Sequence, residues 1–338
     1  MKLSIGIVGL PNVGKSTLFK LLTKQEILIA NYPFATIDPN VGIVPVPDER
    51  LEKLNALSKS KKKIPAVVEF YDIAGLVKGA HKGEGLGNQF LMHIRETQAI
   101  VMVLRVFENA EIIHVENTVD PLRDLEILNT ELALKDLDTV DKRFAKAEAE
   151  ARTGKKEAVQ DKELLAELKQ LLEKGQLPVS DPKVLERLRE NVRMKDLNLL
   201  TAKRQVYLLN GATSDVSEAL KAKIKSLGAD FVTIDLAAAE GIPELIKKAY
   251  EVLDLESFFT TGEDETRAWT IEKGTKAPQA AGVIHTDFEQ KFIRLEVVGC
   301  EKLLEAGDWV KAKQKGWIRL EGKEYVVQDG DVVVVRHG

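Results

Sequence analysis

Gly9-Leu10-Pro11-Asn12-Val13-Gly14-Lys15-Ser16 decides how the N-terminal part of this chain folds. It follows a short apolar run, Leu3 to Val8, and leads into an amphipathic segment, Lys15 to Thr23. A strand, a glycine-rich turn of this spacing and a helix form the G-x-x-x-x-G-K-[ST] phosphate loop. The glycines let successive backbone N–H groups curl around a phosphate, and the helix N-terminus adds the positive end of its dipole. On this reading Asn12, Val13, Gly14, Lys15, Ser16 and Thr17 contact a nucleotide. Lys15 reaches the outer phosphates and the Ser16 hydroxyl ligates Mg²⁺.

Outward from the loop, strands and helices alternate. Val41 to Val46, Ala66 to Tyr71, Ile100 to Val106, Gln205 to Leu209 and Phe231 to Leu236 read as strands. The Ile100 run is apolar almost throughout, as a strand buried on both faces of a parallel sheet requires. The pattern predicts an open α/β sheet with crossover helices. Asp72-Ile73-Ala74-Gly75 follows one of these strands, so Asp72 is expected to hold the Mg²⁺ hydration shell and the Gly75 amide to sense a γ-phosphate. Upstream, Asn31-Tyr32-Pro33-Phe34-Ala35-Thr36 places Thr36 to offer Mg²⁺ a second hydroxyl.

The alternation stops between about Phe107 and Arg204. Asp120-Pro121 is a helix start, and Leu122, Leu125, Leu128 and Leu132 keep a helical period. A second helix carries Leu164, Leu165, Leu168, Leu171 and Leu172, and a third follows Asp181-Pro182. Beyond Trp269, short β-type runs separated by Gly and Asp, among them Val283-Ile284 and Trp309 to Lys311, predict a small, mostly-β domain. The expected division is 1–106 and 205–255 for the sheet domain, 107–204 for an inserted helical domain, and 256–338 for a linker and the C-terminal domain.

Composition sets outer limits. The 338 residues carry a net charge of −4, with one cysteine, Cys300. That excludes a disulfide framework or a Cys-rich zinc site, and fits a reducing compartment. No apolar run reaches the ~20 residues of a membrane span, and no signal-peptide pattern follows Met1, so a cytoplasmic location is expected. The net charge hides an uneven distribution. Residues 141–204 hold 16 Lys/Arg against 12 Asp/Glu, a net of +4, and residues 268–338 are balanced. The sheet domain is therefore acidic and the helical arm basic, which makes the arm the place for an RNA contact. Such a face is also what a solvated helical hairpin presents. Trp269, Trp309 and Trp317 read as core residues of the C-terminal domain before base-stacking platforms.

The catalytic element is the least determined part. The glutamine that orients water after D-x-x-G in Ras-like proteins is replaced by Leu76, which cannot do so. The candidates are His114, His81, and Asn12, the last as part of a site for a monovalent cation such as K⁺.

The phosphate loop, the Asn31–Thr36 stretch, and Asp72-Ile-Ala-Gly-Leu-Val-Lys-Gly-Ala-His-Lys-Gly-Glu-Gly-Leu-Gly-Asn-Gln-Phe-Leu resemble the Obg-related GTPases, and among them the YchF-type Obg-like ATPases. Ile112-Ile-His-Val115, Asn129-Thr-Glu-Leu-Ala-Leu-Lys-Asp-Leu, Arg267-Ala-Trp-Thr-Ile and Ala277-Pro-Gln-Ala-Ala-Gly-Val-Ile-His-Thr-Asp-Phe extend the resemblance over nearly the whole chain. It implies a G domain, a coiled-coil insertion and a C-terminal TGS domain of β-grasp fold. It also implies a translation-linked switch that meets ribosomal particles. The competing reading is a regulatory nucleotide-binding protein, in stress signalling, that acts through protein contacts. GTP-selective relatives use N-K-x-D and YchF-type proteins an N-x-x-E variant. Here the motif is Asn210-Gly211-Ala212-Thr213, with Asp215 two positions out of register. Guanine selectivity is disfavoured, ATP is expected over GTP, and the stretches after Thr213 and after Leu236-Ala-Ala-Ala-Glu240 are shorter than usual for the family. The resemblance makes Ala237 and Ala238 the candidates for a backbone amide near the base, and His285 a brace for a TGS loop.

Overall fold

The computed structural model describes residues 4–24, 40–72 and 93–338. Thr36, Gly75, Leu76 and His81 lie outside them. In chain order the strands are β1 (Ser4–Val8), β2 (Val41–Pro45), β3 (Lys62–Ile64), β4 (Val67–Asp72), β5 (Ala99–Arg105), β6 (Arg204–Asn210) and β7 (Asp230–Ile234). They continue with β8 (Leu255–Thr261), β9 (Glu265–Glu272), β10 (Phe292–Gly299), β11 (Arg319–Glu321) and β12 (Asp331–His337). Contacts divide the described chain into two compact units, one of residues 4–24, 40–42, 69–72 and 93–245, the other of 43–68 and 246–338. The helical arm belongs to the first unit, and residues 43–68 fold with the C-terminal sheet.

The first sheet has the order β2-β4-β1-β5-β6-β7, with β4, β1, β5, β6 and β7 parallel. β5 is buried at all seven positions, which explains its unbroken apolar run, yet it ends in a buried arginine, Arg105. Register lines up the C-terminal ends of the strands. Asp72 pairs with Ile7, Arg105 with Asn210, and Asn210 with Ile234. Ligands of open α/β sheets bind at this edge.

The arm starts where Asp120 accepts the Arg123 N–H and Pro121 occupies the first turn of a 31-residue helix, Pro121–Ala151. The chain reverses at Gly154, in left-handed conformation, and returns as Lys156–Glu173. Val140 and Ala147 pack with Leu164, Leu165, Leu168 and Leu172, the stripe expected from the sequence. At its root Asp136 is fully buried, accepting from the Leu200 and Thr201 amides and the Thr201 hydroxyl, with Arg95 at 3.4 Å. Burial still pushes this carboxyl up, because those bonds offset only part of the lost hydration. Lys203 donates to the carbonyls of Arg95 and Thr97 and is lowered by burial to about 8.

In the second unit the sheet order is β11-β10-β12-β8-β9-β3. Its core of Phe258, Ile271, Leu295, Val297 and Val333 is covered by the helix Ala277–Ile284 through Ala280 and Ala281. Two expected β runs are helical. Val283-Ile284 ends the helix that Pro278 starts, and Trp309–Gln314 is a helix capped by Asp308, whose carboxylate accepts the Lys311 N–H at 2.7 Å. The cap residues outweighed a short period-two pattern. Trp269 lies against this core, stacked on Phe258 with its Nε1 donating to Thr260. His285 caps the short helix Thr286–Gln290 by accepting the Asp287 N–H. Among the described residues no helix is long and apolar enough to cross a membrane.

Candidate nucleotide site

β1 delivers the chain to Gly9, where any Cβ would lie 2.7 Å from the Val103 carbonyl, so β5 leaves room only for glycine. Gly14 has φ of +105°, and a Cβ there would also strike the Asn210 amide. Two independent constraints thus require a glycine just before the helix. The helix Lys15–Thr23 then buries Leu18, Leu21 and Leu22 and leaves Ser16 and Thr17 exposed at its first turn. Lys15 is buried, and its ammonium donates to the Leu10 carbonyl at 2.7 Å. Burial lowers it to about 8, against the pull of Asp72. Burial likewise raises Asp72, against the pull of Lys15. Lys15 and the half-buried Asp72 are thus near enough to attract one another, and the Asp72 backbone is fixed by its N–H bond to the Asn40 carbonyl at 2.9 Å. Ser16 and Asp72 supply hard oxygen donors at the loop, a set that suits Mg²⁺.

A cavity of about 320 Å³ opens from this loop. Asn12 and Gly14 to Thr17 line one end. Phe107, Ile112, Asn210, Leu236 and Ala237 line the other. Asn210 joins them: its Nδ2 donates to the Val13 carbonyl at 2.9 Å and its Oδ1 accepts the Leu236 N–H at 3.1 Å. Asn12, at φ +63°, donates from Nδ2 to the Ile113 carbonyl at 3.0 Å. The phosphate loop is thus tied both to the turn after β7 and to the turn after β5.

Two expectations meet a different geometry. His114 is 4% exposed; Nε2 lies 2.8 Å from Asp124 Oδ2, and Nδ1 accepts the Glu116 N–H at 3.1 Å. With both ring nitrogens engaged it braces the 107–118 turn to the first turns of the arm and has none left for a water. Of Ala237 and Ala238, only Ala237 lines the cavity, and both amides are bonded to Asp235, at its Oδ1 and its carbonyl. Thr213 opens a 3₁₀ turn in which the Asp215 carboxylate accepts from the Ala212 N–H and the Ser214 hydroxyl. Among the described residues no Asp or Glu lines the cavity.

Phe107 and Ile112 were not foreseen as site residues. Two signals pointed to them: Phe107 comes two residues after a buried parallel strand, and Ile112, Ile113 (76% exposed) and Val115 are apolar side chains on an exposed turn.

A glycine loop between strand and helix, a buried Lys15 attracted by the half-buried Asp72, and a cavity running on to Asn210 define a P-loop nucleoside-triphosphate-binding protein. Residues 4–140 match the family profile described as 50S ribosome-binding GTPase, and residues 255–338 the YchF GTPase C-terminal profile, described as a protein of unknown function. The ribosome-binding ATPase YchF of Bacillus subtilis (strain 168) is 46% identical over 366 aligned positions, covering 99% of each chain. Its namesake in Escherichia coli O157:H7 is 44% identical over 98% of each. The solved structure of the Schizosaccharomyces pombe YchF GTPase matches with a TM-score of 0.84 at 38% identity, covering 99% of this chain and 98% of that one. The chain belongs to the YchF family. The 366 aligned positions exceed its 338 residues, so the bacterial relative carries residues that this chain lacks.

Proposed function

We propose that this chain is a Mg²⁺-dependent ATPase switch that turns over slowly by itself and engages the ribosome in one nucleotide state. The observation that carries the base preference is the cavity lining: Asn210 is present, among the described residues no carboxylate of the kind guanine requires lines the cavity, and Asp215 is folded back into its own turn. A site that cannot accept from guanine N1–H and N2–H₂ gives up the bonds on which guanine selectivity rests. The family relatives named ribosome-binding ATPases support hydrolysis and the ribosome as partner. The place of action is then the cytoplasm.

Ser16, with Asp72 through the hydration shell and Thr36, would hold Mg²⁺, which when bound neutralises charge on the outer phosphates. Lys15 withdraws from the Leu10 carbonyl to pair with phosphate. The Gly75 amide is our candidate sensor of the γ-phosphate. Leu76 offers no group to orient water, in keeping with slow turnover. Asn12 donates an amide hydrogen to the Ile113 carbonyl, and its side-chain oxygen is the atom a K⁺ ion would use.

We read the arm as the coiled-coil insertion and the second sheet as a TGS domain. The run β9-β8-β12-β10-β11, with the Ala277–Ile284 helix packed on its core, supports a β-grasp fold. Any RNA contact is then expected on the basic arm. The test is ATP and GTP hydrolysis with and without ribosomes, in K⁺ and in Na⁺, together with co-sedimentation. Ribosome-stimulated ATPase activity is expected. GTP bound about tenfold more tightly than ATP, or neither stimulation nor co-sedimentation, overturns the reading.

A further inference from the structure

Arg105 closes β5 and is 1% exposed, in line with the apolar residues Ile100 to Leu104. Among the described residues its guanidinium meets carbonyls rather than a carboxylate. Nε donates to Phe107 at 3.0 Å, Nη1 to Ile112 at 3.0 Å and Nη2 to Asn109 at 3.1 Å. Its Cζ also lies 4.6 Å from the centre of the Phe107 ring. A buried cation is tolerated only where its donors are matched, and all three named acceptors come from the turn at 107–112. Two of the residues that supply them, Phe107 and Ile112, line the far end of the cavity. The charge is buried to shape that turn, since an aliphatic side chain would pack the strand end without it.

We propose that Arg105 is the positioning residue for the base end of the nucleotide, and that it biases the site toward adenine. The inference rests on the reading of this cavity as the ATP site and deepens it. The planar guanidinium fork sets where Phe107 and Ile112 stand. It also draws three backbone acceptors inward. Guanine needs acceptors for N1–H and N2–H₂, and a turn whose carbonyls are held by Arg105 does not offer them. Adenine needs fewer. Lysine cannot reproduce the arrangement, because its point charge has no fixed fork.

The test is calorimetric binding of ATP, GTP and inorganic tripolyphosphate, each with Mg²⁺, to the full chain and to its Arg105→Lys and Arg105→Met variants. ATP affinity is expected to fall about thirtyfold in Arg105→Met and about tenfold in Arg105→Lys, while tripolyphosphate changes by less than about twofold. The ATP-to-GTP affinity ratio is expected to shrink by about fivefold or more in both. Retained tripolyphosphate binding shows that the phosphate loop is still folded, and Arg105→Lys carries the test if the methionine variant does not fold. Parallel loss of ATP and tripolyphosphate, no loss of ATP, or an unchanged ATP-to-GTP ratio overturns the inference. Wild-type protein that binds tripolyphosphate as tightly as ATP overturns the base-pocket reading itself, whatever the variants do.

Discussion

The phosphate end of the site is built from consecutive residues, Gly9 to Thr17, whereas the base end collects Phe107, Ile112, Asn210, Leu236 and Ala237 from the ends of three strands. The difference follows from what each end recognises. A phosphate is a compact charge that any ring of backbone N–H groups and one ammonium can hold, so a single local turn suffices. A base is told apart by directional donors and acceptors, which must arrive from several directions and stay fixed. The first task is solved by φ angles, the second by long-range ties: Asn210 between Val13 and Leu236, and Arg105 beneath the 107–112 turn.

Three experiments test this contrast. Lys15→Ala should weaken ATP and tripolyphosphate alike by about 100-fold or more, because a charge-assisted contact is lost in a desolvated space. Titration calorimetry reads it, and binding that survives within about tenfold would remove Lys15 from the phosphate end. Asn210→Ala comes next, at about thirtyfold, since one truncation strands the buried Val13 carbonyl and the Leu236 N–H. If Asn210 serves both ends, ATP and tripolyphosphate decline together and the melting temperature drops. A loss confined to ATP would place it at the base end alone.

The smallest effect is that of pH. Lys15 in the free protein sits near 8, below its ordinary 10.5, so at pH 9 most of it is neutral and nucleotide must restore the proton to gain the ion pair. ATP affinity should then be about tenfold lower at pH 9 than at pH 7, and tripolyphosphate should follow the same curve. Stability of the free protein moves the other way. Between about 8 and 10.5 the unfolded chain binds more protons at Lys15, so stability rises with pH in that window, and Lys203 adds to the rise. Affinity that stays flat from pH 7 to 9 would mean that Lys15 keeps its proton without nucleotide.

The same contrast explains what could be read before the fold was known. The phosphate loop, its helix and the flanking strands were legible because spacing alone determines them. Asn210 was legible through the motif it begins. Arg105 was not, because nothing local distinguishes an arginine ending a buried strand from one reaching solvent; only the register of β5 against β6 seals it in. His114 was placed near chemistry because it falls in a polar loop, and the structure instead turns it inward onto Asp124. In the C-terminal unit β10, β11 and β12 were foreseen but β8 and β9 were not, and Pro278 and Asp308 converted two short β-like runs into helices.

The His114–Asp124 bond also has a mechanical consequence. Its donor side sits in the turn that lines the cavity, and its acceptor side in the first turns of the Pro121–Ala151 helix. That helix of 31 residues is about 46 Å long at 1.5 Å per residue. A tilt of about 5° about its first turn would therefore sweep its far end through about 4 Å, as a pointer enlarges a small turn of its spindle. Sub-ångström adjustments where a nucleotide is held would become, at the end of the arm, a displacement as large as the diameter of a water molecule or more.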